Sequence, residues 1–422
     1  MGAGLLNLIL NNGSSDKYFT GNPKITFFKR IYRQHTNFGV ETVRQDFNKV
    51  PLFNNEASVK ITQNGDLINK AYLCIELPEI KKAQPGAIGN STYVGWINAL
   101  GNHICDYIEI RIGGKTIDKI LPQWLDIYSS LFLTIDKQKS YNYLTLKSET
   151  DISFLENGLH EQVLMIPLNF WFFSNGNALP LCALQYHEVT FHLKFNSVHN
   201  LIKSDEIIND PLDINDNPLE IKDAYLLVDY IFLDKNERRN LVEKPIEMLI
   251  EQTQYMGKKT ISPNSKVFNY RIEHKHNLKE IFFMFQPHSM IDPNSKTGNY
   301  PNEYNYRDTI EPTIKREICN KVEFTICGNQ KHPPISSKLY LGINNFNYHT
   351  NLPLDFIYSY SFALNPEEYQ PSGSINFSNV DNSYLKFHLN IVPDYIDFYF
   401  FSRNYNILII DSGMAGLKYY DS

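Results

Sequence analysis

The side chains able to do acid–base or metal chemistry are thinly spread over the 422 residues. His274-Lys275-His276 is the one place where two of the twelve histidines stand two apart. On a strand that spacing puts both imidazoles on one face and makes half a metal site. No Asp or Cys adjoins it to complete a ligand set, so a solvated face is the expectation. His187 and His192 lie five apart within strand-like patterning and would point to opposite faces. The five cysteines, Cys74, Cys105, Cys182, Cys319 and Cys327, are odd in number and form no CxxC pair. That usage fits buried free thiols in a reducing compartment. No Gly-x-Ser-x-Gly elbow, phosphate-binding loop or dinucleotide fingerprint occurs, and Ser372-Gly373-Ser374 reads as a turn after Gln370-Pro371. Glycoside hydrolysis needs two facing carboxylates, whereas the adjacent Glu367 and Glu368 would point apart on a strand. The sequence thus offers no catalytic, cofactor-binding or metal site.

Two surface features remain. Between Lys24 and Arg44 the basic residues Lys24, Lys29, Arg30, Arg33 and Arg44 face a single acid, Glu41, and interleave with Phe27, Phe28, Tyr32 and Phe38. Such a segment suits nucleic acid or an anionic membrane surface. Its aromatic content exceeds what phosphate binding needs, which favours an arm anchored on the first domain or on a neighbouring subunit. Asn12, Asn90 and Asn376 head Asn-x-Ser/Thr sequons, but glycosylation there requires the secretory pathway, and no signal peptide is evident. The Leu5–Leu10 apolar run is too short to span a bilayer and lacks a preceding basic region.

The elements that must carry these residues are strands. In Glu188–Phe195 the odd positions are apolar and the even ones polar; Leu385–Ile391 repeats the pattern, and Lys321–Ile326 does so in the opposite phase. The 27 Phe and 27 Tyr against 3 Trp lean the same way. Gly113-Gly114 predicts a hairpin between Tyr107–Ile112 and Lys115–Ile117, and Asn64-Gly65 predicts another between Val59–Ile61 and Ala71–Ile75. Helical patterning is confined to Pro122–Phe132, with Trp124, Ile127, Tyr128 and Leu131 on one face, and to a short helix from Glu237 that Lys244-Pro245 breaks before extended chain. Asp136–Glu161 and Pro287–Pro312 read as long loops. Few helices and many short strands predict an all-β chain of sandwiches. The boundary falls at the polar stretch Asp234–Asn240. Lys plus Arg number 40 and Asp plus Glu 46, so 40 − 46 gives a net charge of −6. That balance excludes a strongly basic nucleic-acid binder.

Five blocks, in order along the chain, resemble the major capsid protein family of the nucleocytoplasmic large DNA viruses. They are Tyr18–Pro23 with Thr26–Lys29 and Tyr32–Phe38; Phe170-Trp171-Phe172 with Ala178–Leu181 and Ala183–Val189; Glu237-Arg238-Arg239 with Leu249–Gln252; Tyr360–Leu364 through Gln370–Gly373 to Asn376-Phe377-Ser378; and Asn404–Leu408 with Ser412–Gly416. The resemblance implies a double jelly roll, two eight-stranded antiparallel β-sandwiches with a few short helices in loops. The domains would be an N-terminal arm at 1–24, a first jelly roll at 25–234, a linker at 235–245 and a second jelly roll at 246–422. It also implies a structural, non-enzymatic virion protein without cofactors, whose homotrimer forms a pseudo-hexameric capsomer tiling an icosahedral capsid. Implied partners are other trimers, minor capsid and penton proteins and a nearby inner viral membrane, with no specific nucleic acid. Synthesis and assembly would take place in the host cytoplasm. Lys24, Lys29, Arg30 and Arg33 are the expected inner-side contacts, and Asn12, Asn90 and Asn376 the candidate glycan sites. The alternatives are a minor capsid or capsid-like paralogue and, from another class, a jelly-roll glycan-binding protein or glycan hydrolase, because fold does not fix function.

Overall fold

Alternation along the sequence becomes alternation of burial. In Val189–Phe195 the side chains of Val189, Phe191, Leu193 and Phe195 are buried and those between them are not. Leu385, Phe387 and Leu389 do the same in Tyr384–Leu389, as do Val322 and Phe324 in Cys319–Ile326. The structure, a computed structural model, describes residues 3–10, 13–24, 26, 28–30, 32, 34–81, 94–147, 160–173, 176–204, 211–213, 215–288, 306, 317–353 and 355–420. They form two units, Met1–Phe38 and Gly39–Ser422.

The first unit carries helices α1 (Ala3–Leu10) and α2 (Ser14–Thr20). Asp16 Oδ2 accepts from the Gly13 amide at 2.9 Å at the start of α2, and the Gly21 amide closes it onto Lys17 O.

The second unit is built of strands. Those of the first half are β1 (Phe38–Asp46), β2 (Glu56–Lys60), β3 (Leu67–Leu77), β4 (Val94–Trp96), β5 (Cys105–Ile112), β6 (Lys115–Ile120), β7 (Gln162–Pro167), β8 (Leu179–Pro180), β9 (Val189–Phe195), β10 (Ile202–Ser204) and β11 (Asp223–Leu233). Those of the second half are β12 (Ile246–Tyr255), β13 (Lys259–Ile261), β14 (Val267–Arg271), β15 (Asn277–Pro287), β16 (Cys319–Ile326), β17 (Asn329–Ser336), β18 (Tyr358–Ser361), β19 (Ile375–Asn376), β20 (Tyr384–Leu389), β21 (Ile396–Asp411) and β22 (Met414–Leu417). The first half pairs as β1-β11-β3-β7 and β2-β9-β5-β6, the second as β12-β21-β15-β18 and β14-β20-β16-β17. Counting the eight main strands of each half in chain order, both halves read 1-8-3-6 in one sheet and 2-7-4-5 in the other. The last strand lies beside the first and the seventh beside the second, which is the wrapping of a jelly roll. The chain is a double jelly roll.

Gly113 and Gly114, with φ of 58° and 80°, turn β5 into β6 as an antiparallel hairpin. Asn64-Gly65 makes no hairpin. β2 pairs with β9 and β3 with β11 and β7, so this connection crosses from one sheet of the sandwich to the other. Gly65 serves a close approach instead: a Cβ there would sit 2.8 Å from the Cβ of Tyr230. The expected loop from Asp136 is also corrected. α5 (Ile135–Thr145) begins there with Thr134 as its N-cap, because Tyr141, Asn142 and Thr145 are buried on its inner side and tertiary burial supplies what the weak periodicity lacks. Residues 148–159 of that stretch, and most of 287–312, lie outside the described residues. α3 (Leu100–His103) and α4 (Pro122–Leu131) precede α5, and α4 has Pro122 in its first turn as expected. The helix Lys235–Glu243 ends before Pro245 and β12 follows. Arg238 ties that helix back to the first jelly roll through Asp66 (Nε–Oδ1, 2.7 Å), which also accepts from the Leu233 amide.

The sheet β12-β21-β15-β18 is packed on both faces. Ile281, Phe283, Phe285, Phe398 and Phe400 turn into the core of the second jelly roll, where β14, β16 and β20 face them. Phe282, Met284, Tyr399 and Phe401 join the core of the first. Trp124 of α4 meets Phe282 and Phe401 with ring centroids 5.6 and 6.2 Å away. Each such aromatic contributes roughly 1.5–3 kcal/mol by burial.

Candidate functional site

Among the described residues, a cluster of buried charges sits at this seam. Glu251 (β12), Lys279 and Glu280 (β15) and Arg403 (β21) project from adjacent strands of the doubly buried sheet. Lys279 donates to Glu251, Arg403 donates to Glu251, and Arg403 Nη1 donates to Glu280 Oε1 at 3.0 Å. Lys279 and Glu280 are fully buried. Burial and the Arg403 charge pull the Lys279 amine below its ordinary value, against the opposing pull of Glu251 and Glu280. Burial would also lower Arg403, but the two carboxylates outweigh it and raise the guanidinium. The Arg403 guanidinium also lies 5.0 Å from the Phe132 ring centroid. His349 continues the cluster: its Nε2 is 3.8 Å from Glu280 Oε2 and its Nδ1 3.3 Å from Glu367 Oε1. Glu367 also accepts from the Thr350 amide, and although burial raises its pKa, His349 and Thr350 bring it below the ordinary value. Glu251 and Glu280 thus neutralise Lys279 and Arg403 under aromatic rings. The arrangement is a clamp, since acid–base chemistry on a substrate needs a carboxyl free to exchange protons with something that can reach it.

Further ties cross the same seam. Asp118 of β6 accepts from the Thr253 amide of β12 (3.2 Å) and from the Lys119 amide (2.9 Å). Gln252 donates to the Ile117 carbonyl. Burial drives the Asp118 carboxyl up to about 7 against the pull of those amides and of Arg403. Tyr306, from the second half, donates to Asp126 Oδ2 of α4 at 2.5 Å, where His103 Nε2 stands at 3.1 Å. The β21–β22 turn reaches the first jelly roll: the Ala415 amide donates to His187 Nδ1 (3.0 Å) and the Tyr186 amide to Gly413 O.

The residues singled out in the sequence lie elsewhere. Lys24, Lys29 and Arg30 are exposed in the first unit, while Arg33, Asn12 and Asn90 lie outside the described residues. Asn376 is exposed, and its side chain accepts from the Ser378 amide at 3.0 Å, capping a short 3₁₀ turn. The His274–His276 expectation is corrected. His276 sits at φ 66°, which breaks the alternation, and His274 is buried, its Nδ1 2.5 Å from Ser402 Oγ, with burial pushing its imidazole down to about 3. These residues border a cleft of about 660 Å³ whose lining holds one carboxylate, Glu273, among Arg271, Lys275 and Lys418. The charged clamp escaped sequence reasoning. Its signal was Lys279-Glu280 set inside the apolar run Leu278–Phe285, and Arg403 just after Phe400-Phe401.

The outer surface carries apolar side chains as well. Ile343 and Phe346, one helical turn apart, are 55 and 77% exposed, and Leu352 and Leu364 stand out at 51 and 75%.

Comparison with known proteins places this architecture. Residues 26–234 match the family model of the major capsid protein N-terminus, and residues 237–416 that of the large eukaryotic DNA virus major capsid protein. The chain is 33% identical to the major capsid protein of Pyramimonas orientalis virus and 30% identical to that of Phaeocystis pouchetii virus, covering 99% of this chain and 100% of the relative in each case. The solved structure of PBCV-1 VP54 superposes with a TM-score of 0.76 at 26% identity, covering 94% of this chain and 100% of that one. The wrapping of both jelly rolls, the family models laid end to end across them and full-length likeness at this level have one reading: the chain belongs to the major capsid protein family of large eukaryotic DNA viruses and is a structural component of the virion.

Proposed function

We propose that three copies of this chain close into a capsomer that tiles an icosahedral shell. The observation that carries this reading is the repeated wrapping order of the two halves: two equivalent sandwiches per chain, taken three times about an axis, give a six-lobed block from a threefold closure. The exposed Ile343, Phe346, Leu352 and Leu364 supply apolar surface that an obligate interface covers. We read the domains as an arm at 1–24, jelly rolls at 25–234 and 246–422 and a linker at 235–245. The role is assembly rather than turnover. Lys24, Lys29, Arg30 and Arg33 belong to the inner-facing segment, which meets minor capsid and penton proteins near the viral membrane, and assembly takes place in the host cytoplasm. Asn376 is exposed; a glycan there, or at Asn12 or Asn90, requires passage through the secretory pathway. Light scattering coupled to gel filtration tests the capsomer: a mass near three times 49.1 kDa is expected, and a stable monomer overturns it.

A further inference from the structure

We propose that the N-terminal unit, Met1–Phe38, binds an anionic lipid surface, with α1 inserting between headgroups and the basic residues behind it pairing with phosphates. This names one partner of the inner-facing segment described above, and rests on that reading only for where the lipid would be met.

Among its described residues the unit has no buried side chain. Every described side chain from residue 5 to 38 is exposed or, for Asp16, half-buried. Its apolar residues therefore need a second surface. Leu5, Leu6, Ile9 and Leu10 fall at i, i+1, i+4 and i+5 of α1, so they form one apolar face, and each is about half exposed or more. Tyr18, Phe19 and Tyr32 are 84, 81 and 84% exposed, and Phe28 is 99% exposed.

Charge decides which surface fits. The segment holds Lys17, Lys24, Lys29, Arg30 and Arg33 against Asp16, so 5 − 1 gives +4. The whole chain is −6, which leaves −6 − 4 = −10 for residues 39–422. The first tenth of the chain thus carries the sign opposite to the remainder, and no acid intervenes from Lys17 to Val40. The order is an uncharged apolar helix first, then cations interleaved with aromatic rings. That is the pattern of interfacial segments, in which apolar side chains sit at the acyl boundary while Lys and Arg reach phosphates. A protein surface taking the same segment would have to supply both pockets for its aromatics and acids opposite its cations, whereas an anionic bilayer supplies an apolar layer and phosphates together.

The test uses the full-length chain. It is sedimented with vesicles of phosphatidylcholine containing about one-third phosphatidylserine, or of phosphatidylcholine alone, at about 0.1 and 0.5 M salt. The chain is expected to bind the anionic vesicles at least tenfold more tightly than the neutral ones, and less at high salt. Lys24→Glu/Lys29→Glu/Arg30→Glu is expected to lose at least tenfold, and Leu6→Glu/Ile9→Glu to lose binding even at low salt, both with an unchanged mass by light scattering. Binding that ignores lipid charge, or that neither variant weakens, overturns the proposal. So does a drop in oligomeric mass in the variants, which would make a second copy of the chain the occupant. A wild-type monomer that binds anionic vesicles would sink the capsomer and leave the lipid site standing.

Discussion

Buried charge at the seam is satisfied by neighbours rather than water, so its removal is costly. Arg403→Met leaves Glu280 and Glu251 with Lys279 as their remaining cation. Stranding a buried carboxylate costs roughly 3–5 kcal/mol, and chemical denaturation should read a loss of that size. Arg239→Ala, which breaks an exposed pair with Glu243 one helical turn away, should cost about 0.5 kcal/mol or less. Asp118 gives a signed pH dependence. Its carboxyl binds a proton more tightly in the fold (about 7) than in the unfolded chain (3.8). Its favourable contribution is therefore complete below pH 3.8 and is lost as pH rises to 7, an amplitude on the order of 4 kcal/mol. Asp118→Asn keeps the acceptor oxygen for Thr253 and Lys119 without the charge. It should melt higher than the wild type at pH 8, with the gap closing towards pH 4; comparison at equal pH cancels other groups, His274 among them. None of this was legible in the sequence, because a residue type announces a charge but not the partner that a third strand brings to it.

Strands and turns were far more legible, since period-two alternation is a property of consecutive residues. The Gly113-Gly114 hairpin followed from local rules alone. Gly113 is held twice over: its φ is 58°, and a Cβ would meet the His187 ring at 2.6 Å. Gly113→Ala should cost roughly 2 kcal/mol or more in thermal or urea unfolding, against about 1 kcal/mol for Gly114→Ala, which meets open space. The misread turn at Asn64-Gly65 shows the limit of the method. Two strand signals flanking a turn signal do not reveal whether the strands pair or belong to opposite sheets. α5 was missed because its helical state rests on Tyr141 and Thr145 finding a core, not on a pattern of its own.

At the scale of the molecule, the family was readable from five ordered blocks, and the chain's membership follows from likeness along its whole length. The union of the two jelly rolls was not readable. Ile281–Phe285 is apolar at every position, so it carries no alternation to say that odd residues serve one core and even residues the other. The predicted mass of three chains belongs to this scale too, as does unchanged oligomeric mass in the N-terminal variants. β21 adds a constraint on how the protein is made. It is the longest strand among the described residues, it lies between β12 and β15 in the sheet that both cores share, and it begins only at Ile396 of 422 residues. While the ribosome is still translating, Trp124 lacks its Phe401 neighbour, and the later half lacks its middle strand. A chain ending at a premature stop codon before that point would keep these aromatic surfaces open and leave the sheet shared by both cores unfinished.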